Sequence, residues 1–212
     1  MTQNAAVTRN ADQTHRPVVG HGIGLSSLSD EQLCTCALDG SREAALDELI
    51  RRYAPRLRRL LCTLVGPDRD LIEEGEQEVF VTLVRRLSCF RGESRFSTFF
   101  FALARNRVRD MLRARRRRVA RYSATQIDPE TIPGRSQDPG QRVIDSERLD
   151  GLRRCMAVLS EDDRILLFLR DGDDTPIAEL SRIYSIPEGT VKSRLSRARA
   201  RVARRMRELE YG

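Results

Sequence analysis

The sequence predicts an all-α protein: two small helical domains joined by a flexible linker, the second containing a helix-turn-helix. Three observations lead there. Apolar residues recur at i, i+3 and i+4 through most of the chain, no run of alternating β-branched residues appears, and a Pro- and Gly-rich stretch separates two helical patterns. Composition agrees. Of the 212 residues only 5% are aromatic, none is Trp and 33% are charged, which suits thin helical cores better than a broad sheet.

Residues 1–26 predict a flexible N-terminal tail. The first helix is expected from Ser29, where Ser-Asp-Glu-Gln sets Gln32 three residues after a candidate N-cap, to about Leu38. Beyond the Asp39-Gly40-Ser41 break, a long helix carries Ala45, Leu46, Leu49, Ile50, Leu57, Leu60, Leu61 and Leu64. Pro55 predicts a kink or joint within it, and Gly66-Pro67 ends it. Ile72, Val79, Phe80, Leu83, Val84 and Leu87 keep a helical rhythm over 70–87. A loop then leads into a helix from about Ser97 to Arg116, so the first domain is bounded at 27–118. The linker is placed at 119–142, where SATQIDPETIPGRSQDPGQR holds three Pro and two Gly.

In the second domain, 143–212, Leu159-Ser160-Glu161 opens a helix with Ile165, Leu166, Phe168 and Leu169 as its core. Ile177, Leu180 and Ile183 bury a helix of about eight residues, Ser185 to Glu188 turn the chain, and Val191 and Leu195 bury a second helix. That is the plan of a helix-turn-helix.

Charge separates the faces. The chain has 38 basic and 31 acidic residues, a net +7, but nine Arg with one Asp fall between Arg105 and Arg121, and eight basic residues with no acid between Lys192 and Arg207. A single such run is often a solvated face; two, each fused to an apolar-periodic helix, point to a polyanion. Every basic residue but Lys192 is Arg, the side chain suited to forked contacts with phosphate and guanine. On the second helix of the helix-turn-helix, Lys192, Ser193, Ser196 and Arg197 fall opposite the apolar stripe and are candidates for base edges, with Arg199, Arg201 and Arg204 against phosphate or solvent. In the first domain Phe90, Arg91, Phe96, Phe99, Phe100 and Phe101 precede Arg105, Arg109 and Arg113, which recur every four residues. Rings beside an Arg ladder suit unstacked single-stranded bases, although four Phe equally suit a core. Between Asp68 and Glu78 lie six acids and one Arg. Glu73, Glu74, Gln77 and Glu78 sit off the apolar stripe and suit a protein partner, or simply an acid-rich helix start.

No apolar run is long enough for a membrane span, and the first 26 residues lack the apolar core of a secretory signal, so a cytoplasmic protein without stable membrane insertion is expected. Five Cys without framework spacing predict thiols; Cys34-Thr-Cys36 as a redox or metal pair has only His15 and His21 as further ligands. No cofactor, metal or catalytic centre is expected.

Two stretches carry a family resemblance. Ile186-Pro-Glu-Gly-Thr-Val-Lys-Ser-Arg-Leu-Ser-Arg-Ala-Arg199 resembles the promoter-reading helix of bacterial sigma factors, especially the small two-domain extracytoplasmic-function class. Gln77-Glu-Val-Phe80 and Phe90-Arg-Gly-Glu-Ser-Arg-Phe-Ser-Thr-Phe-Phe-Phe-Ala-Leu-Ala-Arg-Asn-Arg-Val-Arg-Asp-Met-Leu-Arg113 resemble the family's polymerase-docking and minus-ten segments. The resemblance implies no enzyme but an alternative sigma factor that directs promoter-specific initiation. Lys192, Ser193, Ser196, Arg197 and Arg199 would read the minus-thirty-five element. Phe90, Arg91, Gly92, Phe96, Phe99, Arg105, Asn106, Arg109 and Arg113 would take the melted minus-ten strand. Glu73, Glu74, Gln77 and Glu78 would dock on the clamp of the largest subunit of core RNA polymerase, and an anti-sigma factor would be a further partner. Phe99 stands where the family usually has Trp, Gly75 where an apolar residue is usual, and Ser185 where Gly is common. The rival readings are a dimeric helix-turn-helix regulator acting without polymerase and a magnesium nuclease built on Asp68, Asp70, Glu73 and Glu74.

Overall fold

The structure, a computed structural model, describes residues 24–39, 42–124, 151 and 154–210, with the side chains of 122–124 and 210 aside. The stretches 1–23 of the expected tail and 125–150 of the expected linker and second-domain start lie outside the described residues. All regular structure among the described residues is helical.

Helix α1, Asp30–Leu38, starts from the expected capping box: the Ser29 hydroxyl accepts from the Gln32 amide while the Gln32 side chain accepts from the Ser29 amide. The residues just before it are not loose. Leu25–Ser27 form a 3-10 turn, and the Arg52 guanidinium donates to the carbonyls of Leu25, Ser26 and Leu28, so residues 24–26, expected within the tail, are held against α2.

Helix α2, Arg42–Val65, runs unbroken through Pro55. Pro55 sits on the exposed side, while Leu49, Tyr53, Leu57, Leu60, Leu61 and Leu64 form one buried stripe on both sides of it. Packing along that stripe carries the helix past the missing amide, and the expected joint does not form. Helix α3, Arg69–Arg86, is N-capped by Asp68, whose carboxylate accepts from the Leu71 amide. Helix α4, Phe96–Ala124, continues eight residues beyond the expected Arg116, into the first part of the expected linker. Its first amide donates to Glu31 of α1. Helices α1 to α4 share a core around Tyr53, Phe96, Phe100 and Phe101, whose rings meet edge-on or tilted at 4.6 to 6.2 Å.

Gly75 belongs to this packing. Its position on α3 is buried, and a Cβ there would stand 2.8 Å from Leu61 Cδ2 and 3.1 Å from Leu61 Cδ1. The glycine therefore lets α3 close on α2, which explains why no larger apolar residue occupies it.

In the second domain, α5, Glu161–Leu167, is capped by Ser160 and runs on into a π turn, Phe168–Gly172. Helix α6, Ile177–Tyr184, and helix α7, Glu188–Glu210, form the helix-turn-helix on a core of Ile165, Leu166, Leu169, Leu180, Ile183, Val191, Leu195 and Ala198. The turn is closed in a defined way. Ser185 is left-handed at φ 52°, ψ 44°, the Ile186 amide donates to Ser181 O at 3.1 Å, and the Ser185 amide donates to Arg182 O at 3.2 Å. This is a Schellman cap with Ser in the usual Gly position, held further by the Ser181 hydroxyl donating to Ile186 O at 2.6 Å.

Candidate nucleic-acid interface

Helix α7 presents one face to solvent. Lys192, Ser193, Ser196 and Arg197 are all exposed, with Glu188, Gly189 and Thr190 at the helix start, while Val191 and Leu195 on the opposite side are buried. Neither Lys192 nor Arg197 has an ion pair among the described residues. Two arginines of the run are engaged with the rest of the second domain: Arg194 with Asp163 at 2.6 Å and, 5.4 Å away, over the Tyr184 ring; Arg201 with Val158 O. Arg199, expected on phosphate, forms a two-bond pair with Asp171 at 3.1 and 2.5 Å. Both side chains are about half exposed, 52% and 44%, so the pair is weak and open to exchange.

The first domain places the expected strand residues less uniformly. Arg91 and Gly92 are exposed in the loop before α4, and Gly92 has φ 72°, a conformation that favours Gly. Phe90 is half-buried, 5.4 Å from the half-buried Phe99 and 5.6 Å from Phe96. Phe96 is 0% exposed and is core, not a stacking platform; its place on the buried side of α4 follows from the contact with Tyr53. Asn106 and Arg113 are exposed on the same helix. Arg105 and Arg109 are not free: both face Asp162 of α5, at 2.9 and 3.5 Å, and the Arg105 guanidinium lies 4.2 Å from the Tyr184 ring centre.

On α3, Glu73, Glu74, Gln77 and Glu78 form an exposed acidic face. Val81, 46% exposed beside Gln77 and Glu78, adds an apolar contact that the sequence reading left out; an apolar residue out of phase with the buried stripe was the available signal. Glu73 pairs with Arg69 at 2.9 Å and Glu78 with Arg107 of α4 across a groove of about 340 Å³ that also holds Glu74 and Met111. Glu76, the one acid of this stretch turned inward, makes a two-bond pair with Arg58 of α2 at 2.9 and 2.6 Å. Asp68 and Glu73 thus have structural partners in a cap and an ion pair, and among the described residues no three His, Cys, Asp or Glu side chains are grouped to hold a metal ion.

The cysteines divide by burial. Cys34 and Cys36 are buried on α1, and burial beside Glu31 and Asp30 pushes the Cys34 thiol up to about 12. A thiol so held is protonated at neutral pH and neither nucleophilic nor a ready metal ligand. Cys89, by contrast, is exposed next to Phe90.

Comparisons with known proteins agree in both domains. The family description "Sigma-70 region 2" matches residues 49–118 and "Sigma-70, region 4" matches 149–202. The RNA polymerase sigma-H factor of Pseudomonas aeruginosa is 28% identical over 190 residues, 87% of this chain and 97% of that protein. The ECF RNA polymerase sigma-E factor of Escherichia coli K12 is 28% identical over 187 residues, 86% of this chain and 96% of that protein. Two solved structures share the fold. The sigma factor RpoE in complex with the anti-sigma factor NepR, from Bartonella quintana, has a TM-score of 0.60 at 23% identity, covering 76% of this chain and 96% of that one. CnrH in complex with the cytosolic domain of CnrY has a TM-score of 0.61 at 19% identity, covering 82% and 94%. With both sigma regions present in order on a two-domain helical scaffold, the chain belongs to the extracytoplasmic-function class of the sigma-70 family of RNA polymerase sigma factors.

Proposed function

We propose that this sigma factor works as a non-catalytic specificity subunit in the cytoplasm, with each task on a separate face. The exposed α7 residues Lys192, Ser193, Ser196 and Arg197 enter the major groove and read the minus-thirty-five element. The start of α4 with the Phe90–Gly92 loop, Phe99, Asn106 and the Arg105, Arg109 and Arg113 ladder takes the melted minus-ten strand. Stacking of roughly 1–3 kcal/mol per captured base offsets the loss of duplex stacking. The acidic α3 face, Glu73, Glu74, Gln77 and Glu78 with Val81, docks on the clamp of core polymerase, which makes the RNA. An anti-sigma factor is a further partner, by likeness to the two neighbours solved with one.

The observation that carries this reading is the opposed charge of two exposed helix faces: α3 shows acids that DNA repels, and α7 shows bases with no acid between Lys192 and Arg207. The test is size-exclusion chromatography of the full chain with sigma-free bacterial core polymerase at moderate salt. One copy per core should co-elute, and Gln77→Ala with Glu78→Lys should weaken co-elution at least tenfold while leaving upstream duplex footprints of the free protein unchanged. Separate elution of the unmodified protein would turn the assignment to a dimeric duplex-binding regulator.

A further inference from the structure

We infer that Gly189 is kept bare for the DNA and not for the fold: it sets how deeply α7 seats in the major groove, and through that depth which short side chains reach base edges. The inference rests on the reading role proposed for α7. Gly189 is the second residue of the helix, which begins at Glu188. The Thr190 and Val191 amides donate to Pro187 O at 2.9 and 3.1 Å, so helical bonding already closes over position 189 and the glycine is not a cap. Its φ lies outside the left-handed region, and a Cβ built there meets nothing within 4 Å. Gly92, by contrast, answers to a φ of 72°, and Gly75 to the approach of Leu61. A helical glycine is less stable than alanine. Nothing among the described residues requires one at 189.

The face around it supplies the reason. At about 100° per residue, Gly189, Ser193, Ser196 and Ala200 fall within about 60° of one another, with Lys192 to one side and Arg197 to the other. All of them are exposed. The leading face is thus bare along its middle and cationic along its edges. A helix with its side chains is about 10–12 Å across, and the major groove is about 12 Å wide and about 8.5 Å deep. A face covered by long side chains meets the groove before its backbone nears the floor; a bare one goes in until Lys192 and Arg197 find the edges beside it. Local bonds keep the middle clear. The Ser193 hydroxyl donates to Thr190 O at 3.0 Å, and Arg197 Nε donates to Ser193 O at 3.3 Å, so both side chains lie back along the helix.

Depth matters because serine is short. Its hydroxyl stands one bond beyond Cβ, so Ser193 and Ser196 touch a base edge only where the backbone itself is close, while Lys192 and Arg197 reach from further out. Gly189 lies one turn before Ser193 on the same line, at the end of the helix that enters the groove. A methyl at 189 strikes first and lifts both serines together. The loss falls on sequence reading, since phosphate contacts from long cations tolerate a small shift and carry no base preference.

Gly189→Ala and Gly189→Leu in the full chain, assembled with sigma-free core polymerase, test the inference. The probe is a labelled duplex enriched by the unmodified holoenzyme from a pool with a random core, and the unselected pool is the reference. Overpacking a fitted surface should lower affinity for the enriched duplex about five- to a hundredfold with alanine, and further with leucine, while affinity for the unselected pool changes less than about twofold. The thermal midpoint of free Gly189→Ala should equal that of the unmodified protein or rise by a few degrees. Three results would overturn the inference. Undiminished affinity of Gly189→Ala for the enriched duplex would mean that DNA does not come close at 189, an equal loss on both probes that depth has no part in reading, and a lowered midpoint that the fold needs the glycine. Lys192→Ala with Arg197→Ala tests the premise separately, and should abolish the preference for the enriched duplex whatever stands at 189. If that pair leaves the preference intact, the reading face is misassigned and the depth role falls with it.

Discussion

At the scale of single residues, fit decides more than type. Gly75 and Ser185 both depart from what the resemblance leads one to expect, and the structure accounts for each by a neighbour in space. Leu61 leaves no room for a Cβ at 75, and the Ser181 hydroxyl adds a bond that helps hold a left-handed serine at 185. Gly75→Ala sets two terms against each other. Helix propensity favours alanine by about 1 kcal/mol, while forcing a methyl against Leu61 costs about 1–3 kcal/mol unless that side chain turns aside. We expect net destabilisation of about 1 kcal/mol in urea unfolding, reversed in a Leu61→Ala background where the space is already empty. A stabilised Gly75→Ala in the unaltered background would show that Leu61 yields freely and that α3 does not need the close approach. None of this was legible beforehand, because a sequence shows that Gly75 is a poor helix former but not which side chain faces it across α2. The fate of Phe96 was hidden for the same reason. Four Phe in six positions had to include core residues, and only the ring contact with Tyr53 says which.

Whole elements were easier to read where their signals are local. The capping box at Ser29, the apolar stripe of α2 and the eight-residue first helix of the helix-turn-helix are each read from spacings of a few residues, and each appears as the spacing predicts. The misses come where a distant element overrides a local signal: Pro55 does not break α2 because its stripe is packed on both sides, and residues 24–26 are ordered because Arg52 reaches back to them. That clasp yields a prediction. Arg52 bonds three carbonyls and Asp30, and Glu48 orients it at 2.7 Å. Since charge-assisted bonds contribute about 1.5–3 kcal/mol each before their loss is partly made up by water, Arg52→Ala should cost about 2 kcal/mol. It should also open the 24–29 segment to protease well before the helical core. Acid should act in the same direction. Bonds from Arg51 first and Arg52 second hold the Glu48 carboxyl down to about 2, below its unfolded value, so its contribution is present above about pH 4. It is lost as the pH falls through 4 towards 2. Glu48→Gln should flatten protease sensitivity of the segment across that window; a profile unchanged by the substitution would remove Glu48 from the clasp.

At the scale of the whole molecule, the sequence announces two domains and gives no hint that they meet. Arg56 and Asp173 form a two-bond pair at 2.8 and 2.5 Å, with the guanidinium also 4.8 Å from the Phe101 ring, yet they lie 117 positions apart and neither belongs to a periodic pattern. In an Arg-rich chain every acid has many candidate partners, so composition cannot choose among them. Their joining has a thermodynamic signature. If the domains were independent, each would melt at its own temperature whatever happened to the other; held together, the less stable one borrows stability from the contact. A domain of this size shifts its midpoint by about 4–8 °C per kcal/mol. Scanning calorimetry should therefore show the lower transition falling by several degrees in Glu161→Gln with Asp162→Asn at low salt. High salt should lower the unmodified protein towards the same value and move the variant much less, because both treatments remove the same interaction. Additive shifts would mean that salt acts within the domains rather than between them, and that the closed arrangement adds nothing to stability.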